Sequence, residues 1–158
     1  MTLILTHSQT LVISQWTGCL NLVSEYLTEN NIVHVKYQGS MNRRERDTAV
    51  RVFMSKDKAR VMLMSTKCGG TSSFLTSTLV IHIWLGVGLN LTRANNVISL
   101  DLCWSYAVEN QAFDRVHRLG QQRNVRVQRA IIADTVEDRI LTLQERKVGK
   151  TISIYVHS

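Results

Sequence analysis

The chain has 158 residues, enough for one domain with a buried core, and its 44% hydrophobic and 20% charged residues exclude wholesale disorder. Its 19 lysines and arginines outnumber 12 aspartates and glutamates, and the net charge of +7 favours a polyanionic partner such as nucleic acid. The three cysteines form no CxxC pair and the five histidines show no paired metal spacing, which argues against a disulfide framework and a metal site. The composition therefore predicts a basic globular domain of a reducing compartment.

Strand-like and helix-like segments alternate along the chain. The pairs Asn42 with Glu45 and Asp134 with Glu137 have the spacing of capping boxes and predict where two helices begin. The alternation predicts βαβ units and an α/β domain whose mainly parallel sheet is covered by helices on both faces. Chemistry in such sheets collects at the carboxyl ends of the strands. Strands are predicted at 10–14, 33–37, 60–65, 96–101 and 125–132, and helices at 21–30, 43–54, 107–118 and 136–147.

The segment 109–121, ENQAFDRVHRLGQ, carries two arginines at helical spacing from a glutamine. At about 100° per residue, Gln111, Arg115 and Arg118 fall on one stripe, and they can converge on a polyanionic group such as a triphosphate. The alternative is a solvated face on which Asp114 and Arg118 pair at i,i+4, and spacing alone favours this alternative. Two glycine-containing stretches, KCGG and VGLNLT, offer backbone N–H groups to a phosphate, although such turns also serve as plain strand-to-helix connections.

Several stretches, taken in chain order, carry a family resemblance: TLVISQWT, YQGSMNRRER, VMLMSTKCGG, VGLNLTRANNVISLDLCWSYAVENQAFDRVHRLGQ and DTVEDRILTLQERK. Together they closely resemble the second helicase-like lobe of SWI/SNF-type DNA-dependent ATPases, and most of all the branch associated with DNA repair and damage tolerance. The resemblance covers about 10–70 and 87–147, and DRVHRLGQ is highly specific in that setting. It implies a RecA-like three-layer α/β domain over 10–147, and it overturns the interpretation of 109–121 as a solvated face.

The resemblance also implies roles for individual positions. Arg115 and Arg118 look like arginine fingers that reach the phosphates of an ATP held by a first lobe and stabilise charge in the transition state. The residues implied to support the ATP site or the motifs around it are Gln111, Gly88, Asn90 and Asp101. The residues implied to contact the DNA backbone, without reading its sequence, are Ser14, Gln15, Gly39, Ser40, Thr66, Lys67, Gly69, Gly70 and Thr92.

Cofactors and partners follow from the same resemblance. ATP and Mg²⁺ would bind only together with a first RecA-like lobe, in cis or in trans, and the protein would act on DNA in the nucleus and not at a membrane. The stretch VGKT at 148–151 is no Walker A loop, because Gln144 stands where the first glycine of that loop belongs, and the chain contains no DEAH-like run. The chain alone is expected to bind DNA weakly and not to hydrolyse ATP. The alternative is a non-catalytic module that binds DNA or a partner.

Two positions depart from the family pattern. Gln38 stands before Gly39 where members usually carry aspartate, and Leu102 stands after Asp101 where a proline is often found. Neither departure touches the two arginines that are implied to act on ATP.

The central segment 71–86 is uncharged, largely apolar and foreign to the motif around it. Without it the chain reads KCGGVGLNLTRANNVISLD, an uninterrupted family motif, and we therefore interpret 71–86 as a short intron translated in frame. The termini 1–9 and 148–158 also leave the family pattern. A membrane span over 74–91 is a weaker alternative, because this run barely reaches the length of a span and contains His82 and Asn90.

Overall fold

The computed structural model describes residues 9–55, 58–66, 91–102, 113–114, 116–117 and 119–148, with side chains as far as Gln144. The predicted alternation of strands and helices is present in these residues, although α1 begins four residues before the predicted start at Asn21. The strands are β1 (Thr10–Ser14), β2 (His34–Tyr37), β3 (Val61–Ser65), β4 (Asn96–Ser99) and β5 (Arg126–Arg129), and the helices are α1 (Thr17–Glu29), α2 (Arg43–Met54) and α3 (Val136–Val148).

The strands form one sheet in the order β2-β3-β1-β4-β5, and every neighbouring pair is parallel. Ser14 at the end of β1 lies opposite Ser65 at the end of β3, and Ile13 lies opposite Ser99 at the end of β4. The last residues of the strands therefore meet at one edge of the sheet, the carboxyl edge, and their first residues meet at the amino edge. Loops at the carboxyl edge are where such sheets place their chemistry.

Helices cover both faces of this sheet. Side chains alternate between the two faces along each strand. On one face, Leu11 and Ile13 of β1 cluster with Phe53 of α2, and on the other face Val12 clusters with Leu27 of α1. A strand such as β3 is buried at all five positions because both of its faces are covered. The predicted three-layer α/β domain with a parallel sheet is confirmed.

The capping box predicted for α2 is present. The Asn42 side chain accepts the N–H of Glu45 at 2.9 Å, and the Glu45 carboxylate accepts the N–H of Asn42 at 2.8 Å. Two N–H groups that the first turn of a helix cannot bond internally are thereby satisfied. The cap fixes the direction in which the chain enters α2 directly after the turn that follows β2.

The capping box predicted for α3 is wrong by one residue. Asp134 has a φ of 61°, in the left-handed region, and therefore belongs to the turn before the helix. The hydroxyl of Thr135 accepts the N–H of Glu137 at 3.3 Å, and the Asp138 carboxylate accepts the N–H of Asp134 at 2.6 Å. Threonine and aspartate can both cap a helix, so spacing alone did not decide between the adjacent residues.

Two expectations concern residues that the structure does not describe. The predicted helix at 107–118 is described only in part, where the N–H groups of Val116 and His117 both donate to the carbonyl oxygen of Phe113. The segment 71–86 lies outside the described residues. Leu91, the last residue of the apolar run, is fully buried in the core beside the sheet. Within the described part of the chain, no helix is long and apolar enough to cross a membrane.

Candidate functional site

A carboxylate closes the turn between β1 and α1. Because β4 lies beside β1 in parallel, Asp101, two residues past β4, reaches the residues that follow β1. Its carboxylate accepts the hydroxyl of Ser14 and the backbone N–H of Gln15, the latter at 3.0 Å and 3.2 Å from its two oxygens. The Ser14 oxygen in turn accepts the N–H of Trp16 at 2.9 Å. We call Ser14, Gln15 and Asp101 the Asp101 cluster.

Thr66 extends the Asp101 cluster toward β3. It directly follows β3, and its N–H donates to the carbonyl oxygen of Ser14 at 3.0 Å. Ser14 is fully buried, whereas Gln15, Thr66 and Asp101 are half-buried. The structure thus brings three residues predicted to contact DNA together with Asp101, which was predicted to support the ATP site.

The turn after β2 holds Gly39 and Ser40 at the same carboxyl edge. It is closed by the N–H of Met41, which donates to the carbonyl oxygen of Gln38 at 3.2 Å. The strand order places β3 between β2 and β1, so β2 runs about 10 Å from β1, whose end belongs to the Asp101 cluster. Ser40 is exposed, and the side-chain nitrogen of Gln38 is buried without a hydrogen-bond partner among the described residues. The glutamine that replaces aspartate here thus brings a buried donor for which the described part of the chain offers no acceptor.

Three exposed side chains near this edge were not predicted from the sequence. Trp16, which lies between β1 and α1, is 58% exposed. Arg43 and Arg44 form the first turn of α2 and are also exposed. Cations are unfavourable at a helix N-terminus, because the helix dipole is positive there, so a phosphate nearby would relieve the repulsion. The arginine pair after a Gly-Ser turn was visible in the sequence, but nothing in it distinguished an exposed Trp16 from a core residue.

Cys19 lies in the first turn of α1, close to the Asp101 cluster. Burial raises the pKa of the Cys19 thiol above its ordinary value, the negative charge of Asp101 raises it further, and a hydrogen bond with Ser14 opposes both effects. The thiol is therefore neutral near neutral pH and is a poor nucleophile. No group of three His, Cys, Asp or Glu side chains in the described part of the chain could hold a metal ion.

A second set of hydrogen bonds lies at the amino edge. The side-chain nitrogen of Gln121 donates to the carbonyl oxygens of Thr92 and Ala94, both at 2.9 Å, and of Val116 at 3.2 Å. The side-chain oxygen of Gln121 accepts the N–H of Arg123 at 3.0 Å. The two N–H bonds of the amide are shared among the three carbonyl oxygens, and only the orientation with the nitrogen toward them leaves the amide oxygen free to accept the N–H of Arg123. We call Gln121 with Thr92, Ala94 and Val116 the Gln121 cluster.

The Gln121 cluster lies apart from the other residues predicted to contact DNA. Thr92 precedes β4 and Asp101 follows it, so the length of the strand separates them. The guanidinium of Arg123 donates to the carbonyl oxygen of Arg93, which further connects the loop before β4 to the loop before β5. Gln121 was not among the predicted site residues, although it is the last residue of the DRVHRLGQ motif.

The remaining predicted site residues lie outside the described residues. In the motif 109–121, the described residues Phe113 and Val116 are buried in the core. The guanidinium of Arg129 lies 5.5 Å from the centre of the Phe113 ring. The predicted site residues that are not described are Lys67, Gly69, Gly70, Gly88, Asn90, Gln111, Arg115 and Arg118.

Comparison with known proteins identifies the family. Residues 2–120 match the helicase conserved C-terminal domain family. The chain is 45% identical over 139 residues to helicase-like transcription factor CHR27 of Arabidopsis thaliana, and 44% identical over 139 residues to DNA repair protein rad5 of Neurospora crassa. The chain belongs to this helicase family, in its SWI/SNF-type branch. The resemblance noted in the motifs is thereby confirmed.

The chain corresponds to only a small part of each of its relatives. It is 39% identical over 147 residues to DNA repair protein rad8 of Schizosaccharomyces pombe. The crystal structure of the C-terminal part of the Fun30 ATPase domain superposes with a TM-score of 0.71 at 27% identity, covering 86% of this lobe and 38% of that chain. The RecA-like fold is thereby confirmed. The matches to CHR27, rad5 and rad8 include 88–90% of this chain but only 10–12% of the length of those proteins.

Proposed function

We propose that this lobe is the second half of an ATP-dependent DNA translocase of DNA repair or chromatin remodelling. In this proposal it supplies the arginine fingers Arg115 and Arg118 and contacts to the DNA backbone. The observation that carries the proposal is the family membership of residues 2–120, which is accompanied by strong similarity to relatives named as DNA repair proteins. We expect the protein to act in the nucleus, where its DNA lies.

The carboxyl edge supports the DNA half of the proposal. The turn at Gly39 and Ser40 leads directly into the exposed Arg43 and Arg44, and the turn after β1, at the same edge, presents the half-buried Gln15 and the exposed Trp16. Hydroxyls, backbone N–H groups and arginines are the groups that hold phosphates without reading bases. With a net charge of +7, such an edge would bind DNA in a way that weakens with salt.

The ATP half of the proposal rests on the motif 109–121. Arg115 and Arg118 would place positive charge against the phosphates of an ATP bound to a first lobe, with Gln111, Gly88 and Asn90 in support. Mg²⁺, held by that first lobe, would neutralise charge on the phosphates. Neither ATP nor Mg²⁺ is expected to bind this lobe alone, because the Walker A loop and the acidic box belong to the first lobe.

The insertion 71–86 falls between two anchored ends of the proposed coupling segment. On one side, Thr66 is bonded to β1 through its N–H, and on the other side Leu91 is fully buried in the core. The glycines between these ends would act through their backbone geometry, which an apolar insertion disturbs. We therefore expect the functional form to lack 71–86, and transcript reads that cross this region without a splice junction would contradict the intron hypothesis.

An ATPase measurement tests the proposal. The lobe, with 71–86 deleted, is placed after a first helicase lobe that has a Walker A loop and a DExx box, in one polypeptide. We expect DNA to stimulate ATP hydrolysis by this two-lobed form, and Arg118→Ala to lower kcat about 10³-fold, because an arginine finger stabilises transition-state charge. Arg126→Ala, which removes an exposed arginine on β5, is the matched control and should keep the activity.

Two results would contradict the catalytic proposal. ATP turnover by the isolated lobe would show that a first lobe is not needed, and full activity of Arg118→Ala would remove the arginine from the chemistry. A two-lobed form that binds DNA but does not hydrolyse ATP would instead support the non-catalytic module.

A further inference from the structure

We propose that Asp101 is a positioning residue for DNA binding: its carboxylate holds the β1–α1 turn in the shape that meets the DNA backbone. This inference rests on the proposed function and assigns to the DNA half a residue that the sequence placed with the ATP site. It is based on the hydrogen bonds that the Asp101 carboxylate accepts from Ser14 and Gln15, which belong to the turn between β1 and α1.

The backbone of Asp101 is itself well anchored. The N–H of Leu100 donates to the carbonyl oxygen of Ile13 at 2.9 Å, which continues the pairing of β4 with β1. The hydroxyl of Ser99 donates to the carbonyl oxygen of Asp101 at 2.9 Å, and the next residue, Leu102, is buried against α3. The carboxylate is thus carried by a rigid strand end, as a group that must position others has to be.

The hydrogen bonds of Ser14 indicate which residues can meet a phosphate. Ser14 is fully buried, its hydroxyl donates to Asp101, and its oxygen accepts the N–H of Trp16. Ser14 therefore links Asp101 to the backbone of the turn. The half-buried Gln15 and the exposed Trp16 form the part of the turn that a phosphate can reach. Asp101 in this view acts through Ser14 and Gln15 and does not touch the DNA.

Whether removal of the Asp101 carboxylate weakens or strengthens DNA binding distinguishes a positioning role from a purely electrostatic one. A carboxylate beside a phosphate-binding turn repels phosphates, so a purely electrostatic role predicts tighter DNA binding when the charge is removed. A positioning role predicts weaker binding on truncation, because the Ser14 hydroxyl and the Gln15 N–H lose the acceptor that orders them. In the asparagine variant the side-chain oxygen can still accept one of these donors.

The test uses the complete 158-residue chain and fluorescence anisotropy with labelled duplex DNA between 50 and 200 mM salt, concentrations at which phosphate contacts dominate. We expect Asp101→Ala to raise the Kd about tenfold and to leave the log–log salt slope nearly unchanged, because the turn presents neutral groups and the slope reports contacts of lysines and arginines with phosphates. Asp101→Asn should recover most of the affinity. Glu29→Ala, which removes an exposed carboxylate from the far end of α1, is the control and should leave the Kd unchanged.

Other outcomes are equally informative. Tighter or unchanged binding by Asp101→Ala, with a thermal unfolding curve like that of the unmodified chain, would overturn the inference while the DNA half of the proposed function stands. If Asp101→Ala does not fold, Ser14→Ala replaces it: a Kd raised severalfold supports positioning, and an unchanged Kd overturns it. If neither the unmodified chain nor the chain without 71–86 binds DNA even at 50 mM salt, the DNA half of the proposed function itself fails.

Discussion

The Asp101 cluster and the Gln121 cluster join separate segments of the chain at opposite edges of the same sheet. At the carboxyl edge a carboxylate gathers an O–H and an N–H from the turn after β1. At the amino edge an amide gathers three carbonyl oxygens and one N–H from the loops around β4 and β5. Both clusters join segments that the family resemblance connects with function, but they do so with opposite hydrogen-bond polarity.

The difference in polarity determines which substitution each cluster can tolerate. A carboxylate can only accept, and it suits a turn whose free groups are donors. An amide accepts on one side and donates on the other, and it suits a place where carbonyls and an N–H converge. Exchanging Asp101 for asparagine should cost little, because one oxygen of the carboxylate accepts both Ser14 and Gln15 and the amide oxygen can take its place. Exchanging Gln121 for glutamate instead puts an anion where three carbonyls need a donor.

The largest effect is expected for Gln121→Glu. Three carbonyl oxygens would lose their donor and face a negative oxygen instead, and leaving such groups unsatisfied costs about 2 kcal/mol in the free energy of unfolding. Urea unfolding at neutral pH measures this difference as a lowered midpoint.

The matched control for this variant is Gln122→Glu, at the exposed neighbour. It introduces the same charge one residue away and should change the free energy of unfolding by less than about 0.5 kcal/mol. Equal destabilisation by both variants would mean that charge, and not the lost amide donor, is responsible, and the contrast between the two clusters would then disappear.

The fold was largely predictable from local signals, because the buried strands are short runs of apolar residues that can be recognised in the sequence. The run VMLMS, buried at every position, was predicted as a doubly covered strand and is β3, which lies between β2 and β1 inside the sheet. The cap at Asn42 was predictable because its two bonds are local in sequence. The start of α3 was missed by one residue because Thr135 and Asp134 are both capping residues and only the backbone φ of Asp134 decides between them.

The candidate site was less predictable, because its bonds join residues far apart in the chain. Asp101 was assigned to support the ATP site or its motif from its position in the sequence, and its bonds to Ser14 and Gln15 across the β1–β4 pair could not be foreseen from that position. The role of Gln121 likewise depends on carbonyls from the loop before β4. Neither partner can be identified until the strand order is known, since that order is set by the packing of the whole sheet.

A smaller effect is expected for Asn42→Ala, which removes a third set of hydrogen bonds at the carboxyl edge. Unlike the two clusters, this cap is exposed, so water can replace part of what is lost. We expect the free energy of unfolding to fall by about 1 kcal/mol, as for other helix N-caps. Asn42→Ser keeps a side-chain acceptor and should restore most of the stability in thermal unfolding. A loss as large as that of Gln121→Glu would contradict the idea that burial sets the strength of these clusters.

The smallest effect is expected at Cys19, whose thiol reports the charge of the Asp101 cluster. Burial and the Asp101 carboxylate raise the pKa of this thiol, so in the folded chain it stays neutral at a pH where the unfolded chain ionises. Its contribution to stability is therefore present below the unfolded pKa of about 8.5 and is lost as the pH rises above that value. Alkylation by iodoacetamide against pH measures the pKa in a chain with Cys68→Ser and Cys103→Ser.

Asp101→Asn should move this alkylation profile to lower pH, because it removes the negative charge while an acceptor remains for the turn. Glu29→Gln, at the other end of α1, removes a charge too distant to act and should leave the profile in place. If both variants gave the profile of the unmodified chain, the thiol would be governed by burial alone. The carboxylate would then act on the turn only through its hydrogen bonds to Ser14 and Gln15.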